Sequence, residues 1–416
     1  MYRALSSYHA VFSGQWWDRR RITRTQTNKL RRLLVHAYET VPYYRQLFDA
    51  AEFVPGQCDS LDALRQIPVT SKATLRQSEP EDLISAGYQP RELEADCSSG
   101  STGTPFTVYL DKDYVLNRNL RFLRGLRAVG YRPGDKLLLI TDRLRSKGKA
   151  WMRWKQVSIE EPADRLLESI DSYRPHVLYG FGASLRQLAE RINATGYRTR
   201  FPIKIVWTAE TLDSVSRRLV ESAFATKIFD FYGMTEMGLV AWECPAHRGY
   251  HLSEESVVVE YLPIDDSGGP RKLVMTNLEL YSMPLIRFDS GDLGIAGPGE
   301  RCACGRNLAR LERVEGRVID CIKLPGGESL SPYRFICQLE TLPGIRRFQV
   351  VQDADTHLTI SVDAAPGARV SLDREIPAIL QGLVGNRLAF TIDYSEAIAS
   401  AEDGKFRAVR SLVSGP

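Results

Sequence analysis

Between residues 137 and 236 short apolar runs alternate with stretches of helical periodicity, and this alternation narrows the fold more than any other feature. "KLLLITD" is an apolar run bounded by turn formers, the pattern of a strand buried in a parallel sheet. "PHVLYGFGASLRQLAERI" reads as strand, glycine turn and helix. "FPIKIVWTAETLDSVSRRLVESAF" repeats that order, and "KIFDFYGMTE" starts it again. Strands alternating with helices predict an α/β domain built on a parallel sheet.

The flanking segments read differently. Upstream, "TNKLRRLLVHAYETVPYYRQLFDAA" places Leu30, Leu33, Leu34, Ala37 and Val41 at helical spacing, an amphipathic helix stopped near Pro42. "LDALRQIPVTSKATLRQ" reads as a short helix, a capping Thr or Ser, and a second helix. "TVYLDKDYVLNRNLRFLRGLRAVGYRPGD" gives strand, turn and long helix. From about residue 250 the runs "SVVVEYL", "RKLVMTNL", "LIRFDSGDLGIA" and "RVIDCIKL" suggest antiparallel sheet. In the last hundred residues, "FQVVQDADTHLTISVDA", a helix-like "LDREIPAILQGLVG" and "LAFTIDY" describe a small α+β domain. The expected organisation is a large N-terminal α/β domain over residues 1–319, with mixed sheets and helices, and a small C-terminal domain over 320–416.

A chain of 416 residues is long enough for two or three domains. Its 55 Lys and Arg against 51 Asp and Glu leave a formal charge of +4, which predicts no nucleic-acid partner. No run of eighteen apolar residues predicts a membrane span, and the N-terminal stretch has no apolar core of a secretory signal. Seven cysteines, an odd number, fit a reducing cytoplasm better than a disulfide framework. Two of them, in "RCACGR", are too close for an ordinary disulfide.

"DCSSGSTGTPFTVYL" is the most unusual stretch. Ser98, Ser99, Ser101, Thr102 and Thr104 offer hydroxyls, while Gly100 and Gly103 allow close backbone approach. Such a loop at a strand end can cradle phosphates with N–H and O–H donors. It can equally be a solvated linker. It lacks the GxxxxGK[ST] pattern of the NTPase phosphate loop.

Five segments in order break that tie: "DCSSGSTGTP", "FDFYGMTEMG", "PLIRFDSGDLG", "GRVIDCIKLPGGESLSP" and "EDGKFRAV". Together, from about residue 60 to 410, they resemble the adenylate-forming superfamily of acyl-CoA synthetases and related ligases. The compact length, "RCACGR" and the ending "GKFRAV" resemble the phenylacetate–CoA ligase-like branch, which includes relatives from capsule and polysaccharide gene clusters. The resemblance implies attack of a small carboxylic acid on the α-phosphate of ATP, giving an acyl-adenylate and pyrophosphate, then transfer to an acceptor. That acceptor is CoA, or else an amine, a hydroxyl or a carrier-protein thiol. An aromatic acid is suggested by the branch alone.

The same resemblance assigns roles. The hydroxyl loop would bind the β- and γ-phosphates; Phe106 stands where relatives often carry a lysine, so the loop brings no cation of its own. Asp230, Phe231, Tyr232, Gly233 and Met234 would line the nucleotide site, with Tyr232 and Gly233 against the acyl and adenine groups. Thr235 would contact the α-phosphate and Glu236 would help hold Mg²⁺, a cation that prefers carboxylate and phosphate oxygens. The competing reading makes Thr235 a helix N-cap with Glu236 in the first turn. Ala209 and Glu210 of "TAE" would lie beside adenine, or form a strand-end turn. Asp292 resembles the aspartate that accepts both ribose hydroxyls. Arg317, or Arg313 four residues earlier, would reach ribose and phosphate. Asp320 falls at the hinge between the two domains. Lys405 in "DGKFR" corresponds to the mobile catalytic lysine, a point charge where negative charge accumulates.

Cysteines and histidines form a second constellation. Soft sulfur and nitrogen ligands in a set of four suit a structural Zn²⁺. The branch resemblance favours Cys244, His251, Cys302 and Cys304, with His247 as the alternative fourth ligand. Cys58, Cys97, Cys321 and Cys337 read as packing residues. "RLRSKGKAWMRWKQ" over 143–156 interleaves cations with two tryptophans. It reads as a solvated loop, a contact for CoA phosphates or an acidic partner, or a surface resembling those that bind single-stranded nucleic acid. A non-catalytic nucleotide-binding homologue is the rival from another class; it would be expected to have lost some of Lys405, Glu236 and Asp292, and all three are present. A homodimer is left open.

Overall fold

The structure, a computed structural model, describes residues 2–98, 106–142, 153–264, 269–395, 398 and 406–413. The chain divides into two compact units. One comprises Met1–Arg132, Phe229–Ser290 and Gly294–Arg313; the other comprises Pro133–Ile228, Gly291–Leu293 and Val314–Pro416. Among the described residues, no helix is long and apolar enough to cross a membrane.

The second unit carries the α/β repeat. Strands Lys204–Thr208, Val177–Phe181, Leu137–Thr141 and Trp154–Ser158 lie side by side in that order, every pair parallel. Helices Ala163–Tyr173, Gly182–Thr195 and Ser214–Phe224 follow the strands. Their apolar faces close over Leu138, Ile140, Leu178, Ile205 and the fully buried Trp207. The strand Trp154–Ser158 is a correction: the tail of the basic stretch is not loop but sheet, paired with Leu137–Thr141. Its cations hide it, since an edge strand with half-buried side chains does not need an apolar run. Residues 143–152 lie outside the described residues.

The same unit holds the expected small α+β body. Strands Ala389–Tyr394, His357–Ala364, Ile345–Ala354 and Val409–Ser411 form a four-stranded sheet in that order. Helices Pro332–Leu339 and Arg369–Val384 cover it. Its buried core draws only on residues between Ile322 and Val409.

In the first unit, the helix Arg19–Thr40 starts at Asp18, whose carboxylate accepts from the backbone N–H of Arg21. The expected stop near Pro42 falls at Thr40, with Val41 as the C-cap. Pro42 opens the next helix, Pro42–Ala50, where its missing N–H costs nothing. Leu30, Leu33, Leu34, Ala37, Tyr44 and Phe48 form their shared core. The two helices expected over 61–77 shrink to a 3-10 segment, Leu61–Gln66, and one α-turn, Lys72–Leu75. That turn is held by a reciprocal Ser71–Thr74 capping box.

The strand Ile228–Met234 departs from expectation most sharply. No helix follows it. The chain turns over Thr235–Met237 and returns as the antiparallel strand Gly238–Glu243. Two features account for this. The run Leu239–Glu243 is buried throughout, which suits a strand covered on both faces. Gly238 adopts φ +68, and a Cβ on Gly233 would meet the Gly238 carbonyl oxygen at 2.9 Å. The N-cap reading of Thr235 is therefore corrected: Thr235 and Glu236 sit in a hairpin turn.

Gly182, the first residue of its helix, tests the packing of the α/β repeat. A Cβ there would lie 2.3 Å from Trp207 Cζ2. Gly182→Ala should destabilise the protein by about 2 kcal/mol, the usual scale of overpacking. An unchanged melting temperature would contradict this packing.

Candidate active site

Several of the candidate residues lie in the first unit. Strands Glu94–Ser98 and Phe106–Leu110 pair antiparallel, and Ser98 opposite Phe106 closes the hairpin that carries the hydroxyl loop. Ser99, Gly100, Ser101, Thr102, Gly103 and Thr104 lie outside the described residues, as does Lys405. Phe106 is buried and stacks on Phe288, ring centroids 6.3 Å apart. Where relatives often place a cation, this chain has a core residue.

The Asp230–Glu236 segment is firmly held. Asp230 accepts from the Tyr250 hydroxyl at 2.6 Å, and its N–H donates to the Glu243 carboxylate at 2.9 Å. Phe231 is buried, edge-on to Phe122. Tyr232, Met234 and Thr235 are half-buried and Gly233 is exposed, so one side of the strand end faces outward. Glu236 is 1% exposed. Its carbonyl accepts from Asn277 Nδ2 at 3.0 Å, and its carboxylate lies 2.7 Å from Lys72 Nζ. Lys72 was not singled out from the sequence. The capping pattern around it was visible, but nothing local connects a helix-turn lysine to a distant glutamate.

Other candidate residues lie in the second unit. Ala209 has φ +70, a left-handed conformation costly for a residue with a Cβ, at the carboxyl end of the strand Lys204–Thr208. The Glu210 carboxylate accepts from the Ala183 N–H at 2.8 Å and from Arg186 Nη2 at 2.7 Å. Its carbonyl accepts from Trp207 Nε1 at 2.8 Å. Glu210 thus fastens the strand end to the first turn of the helix Gly182–Thr195. Asp292 and Arg317, matched to ribose from the sequence, come together with Oδ1 and Nε 3.7 Å apart. Arg313 belongs to the other unit. Asp320 is buried and pairs with Arg407 at 3.2 Å; burial pushes its carboxyl above the usual range while Arg407 pulls it back. Phe406, directly after Lys405 in the chain, has the Arg186 guanidinium 5.1 Å and that of Arg347 4.1 Å from its ring centroid. Phe406 and Arg407 are positions the sequence reading left unassigned.

The cysteine constellation closes in the first unit. The ligand atoms of Cys244, His251, Cys302 and Cys304 all lie within 4.8 Å of one another. Cys244 and Cys302 sulfurs are 3.7 Å apart, and Cys304 Sγ is 3.2 Å from His251 Nε2. Gly305, at φ +85, closes the Cys302 turn by donating its N–H to the Cys302 carbonyl. Burial pushes the Cys244 thiol up to about 12 and lowers His251 to about 4, so its imidazole is neutral. Burial opposes ionisation of Cys304 as well, but hydrogen bonds from Arg306, Cys302 and Cys244 outweigh it and lower its pKa. His247 is outside the four; its ring lies 4.8 Å from that of Phe229 and its Nδ1 3.7 Å from Glu243. Three thiols and an imidazole in this space match the donor set of a tetrahedral zinc site.

The phenylacetate-coenzyme A ligase of Thermus thermophilus is 31% identical over 332 residues, covering 74% of this chain and 73% of that protein. The chain belongs to the phenylacetate–CoA ligase family. The Aromatoleum evansii member of that family is 28% identical over 372 residues, 83% of this chain and 82% of its own. Two solved ligases share the fold. A 2-hydroxyisobutyryl-CoA ligase in its postadenylation state superposes with TM-score 0.80 at 21% identity, over 97% of this chain and 91% of that one. An anthranilate CoA ligase with bound anthranoyl-AMP gives 0.54 at 15% identity, over 83% and 74%. No family model matches the chain.

The Arg186–Glu210 pair yields a direct test of how this strand end is held, because both side chains are nearly buried, at 7% and 2% exposure. Arg186→Met should destabilise the protein by about 3 kcal/mol, since it strands a buried carboxylate. Adding Glu210→Gln should recover part of that loss. Equal melting temperatures for the single variant and the parent would mean that the pair holds nothing.

Proposed function

We propose that this protein is an ATP-dependent carboxylate–CoA ligase that makes an acyl-adenylate and passes the acyl group to the thiol of CoA. The carrying observation is membership of the phenylacetate–CoA ligase family together with an unbroken set of motif residues, Glu236, Asp292, Arg317 and Lys405. A homologue kept only to bind nucleotide would have no need of Lys405.

In the first half-reaction a carboxylate oxygen attacks the α-phosphorus of ATP and pyrophosphate leaves. The barrier falls through positioning and charge neutralisation. Lys405 is assigned to hold the acid's carboxylate against the α-phosphate, where two anions must meet. Thr235 is assigned to donate to the α-phosphate, and the hydroxyls and N–H groups of Ser98–Thr104 to receive the departing pyrophosphate. Asp292 and Arg317, already adjacent, suit a ribose: one carboxylate accepts two vicinal hydroxyls while the guanidinium orients it. Ala209 and the Asp230–Met234 strand end are assigned to the adenine and acyl side. Mg²⁺ would be held by Glu236 with phosphate oxygens, neutralising charge on the triphosphate. One buried hard-oxygen ligand fits that arrangement, because Mg²⁺ binds through one or two carboxylates plus phosphates.

In the second half-reaction the CoA thiolate attacks the acyl carbon and AMP leaves. Lys405 has no part there, and the acceptor needs its space. The inferred solution is rotation of residues 320–416 about Asp320, the proposed boundary with residues 1–319. The four-ligand cluster is assigned to a structural zinc, closed by its four protein donors. An aromatic acid is the inferred substrate, by kinship with phenylacetate ligases.

Separated half-reactions test the lysine and the rotation together. Lys405→Ala should slow acid-dependent pyrophosphate release about 100- to 1000-fold. The same variant should convert supplied acyl-adenylate and CoA to thioester at nearly the parent rate. Equal losses in both halves would remove the two-pose scheme, and no loss in the first would remove the assignment. For the cluster, protein purified without added metal should contain about one zinc per chain, and Cys302→Ser should lower both zinc content and melting temperature. Stable, metal-free protein would refute it.

A further inference from the structure

A triphosphate needs cations, and the hydroxyl loop provides none: from Ser98 to Phe106 it has no Lys or Arg, and Phe106 is committed to packing on Phe288. The neighbouring arginines on the helix Lys112–Ala128 are engaged elsewhere. Arg118 is paired with Asp96 and Glu94, each at 2.9 Å. Arg121 is held by Glu279 at 2.7 Å and by the Met237 carbonyl. Lys72 differs from both. Its partner is Glu236, the residue assigned to the metal, and its own side chain is still 26% exposed.

The pair is not a well-made structural bridge. Glu236 Oε1 is buried and receives no properly directed hydrogen bond, although the ammonium is only 2.7 Å away. The contact is one of charge rather than aim. A carboxylate removed from water and only partly satisfied gains from a better cation. The base of Lys72, by contrast, is fixed. Ser71 and Thr74 cap its turn reciprocally. Just before it, Thr70 donates its N–H to the Arg287 carbonyl and accepts from the Asp289 N–H, which ties the segment beside Phe288. A long cationic arm therefore rises from a capped turn bonded beside Phe288, the residue on which Phe106, at the usual cation's place in the loop, is stacked.

We propose that Lys72 is the triphosphate-binding cation of this enzyme, held by Glu236 and released to the β- and γ-phosphates when the carboxylate turns to the nucleotide's metal. This rests on the ATP-dependent reading above. It makes one exchange of partners serve two ends: the glutamate moves from an ammonium to a divalent ion, and the freed ammonium meets a phosphate. No charge is left unpaired at either stage. An ammonium suits the task because it is a compact charge on a long stem that can change partner without changing its base.

The experiment compares ATP and AMP binding by calorimetry, with and without Mg²⁺, for the parent protein, Lys72→Met and Lys72→Arg. Lys72→Met should weaken ATP binding by about tenfold to a hundredfold, the range of one charge-assisted hydrogen bond, and leave AMP binding within about twofold. Lys72→Arg should restore most of the ATP affinity. Equal weakening of ATP and AMP would reduce Lys72 to a structural residue, and unchanged ATP affinity would also overturn the proposal. Should Lys72→Met fail to fold, the double variant with Glu236→Gln, which buries no unpaired charge, is compared with Glu236→Gln alone by the same ratio of ATP to AMP affinity. A parent protein that binds no ATP would instead refute the ligase reading itself.

Discussion

A carboxylate taken out of water must be given a cation, and candidate residues in each unit meet that requirement. Glu210 meets Arg186 and a helix N-terminus, Glu236 meets Lys72, and Asp320 meets Arg407. Each pair lies where the chain must hold a shape that periodicity does not enforce: a left-handed turn, a hairpin apex and a 3-10 segment between sheets. Buried pairs of this kind add little net stability over apolar replacements, but breaking one partner is costly. Their value here is geometric. Glu210 with Arg186 and Asp320 with Arg407 hold their oxygens at defined places.

The cluster of cysteines and histidine obeys a related rule with different chemistry. Three thiols and an imidazole crowded within 4.8 Å would be an awkward core, and burial resists ionising Cys244. A soft divalent cation would reverse that, because a coordinating thiol gives up its proton to solvent and binds as thiolate. Strands Gly238–Glu243 and Tyr250–Leu252 and the Cys302–Gly305 turn converge on this point. A metal there would tie the return strand of the Thr235 hairpin to the Cys302–Gly305 turn.

Phe106 and Lys72 together illustrate how a site can keep its charge while its sequence motif loses it. The motif position is apolar and packs in the core against Phe288. The cation stands instead on a capped turn bonded to the same strand. Motif reading registers the loss immediately, but the compensation is invisible until the two segments are placed in space.

What the sequence by itself determined is whatever depends on local period and on residue chemistry. The parallel strands from Leu137 to Thr208, the amphipathic helix around Leu30–Ala37 and the α+β pattern after residue 345 follow from apolar spacing, which burial on one or two faces imposes directly. The Cys/His set and the ordered motifs were legible because each needs particular donor atoms. Only the tertiary structure decided what depended on partners distant in the chain. The segment after Met234 became a strand because a buried run on a sheet outweighed a good N-cap signal. The edge strand Trp154–Ser158 took its shape from a neighbour rather than from its own hydrophobicity. Lys72 found Glu236, and Arg407 found Asp320, through folding of the intervening chain. A charge in sequence carries no address, because Coulomb attraction depends on distance and dielectric, and both are set only when the chain has folded.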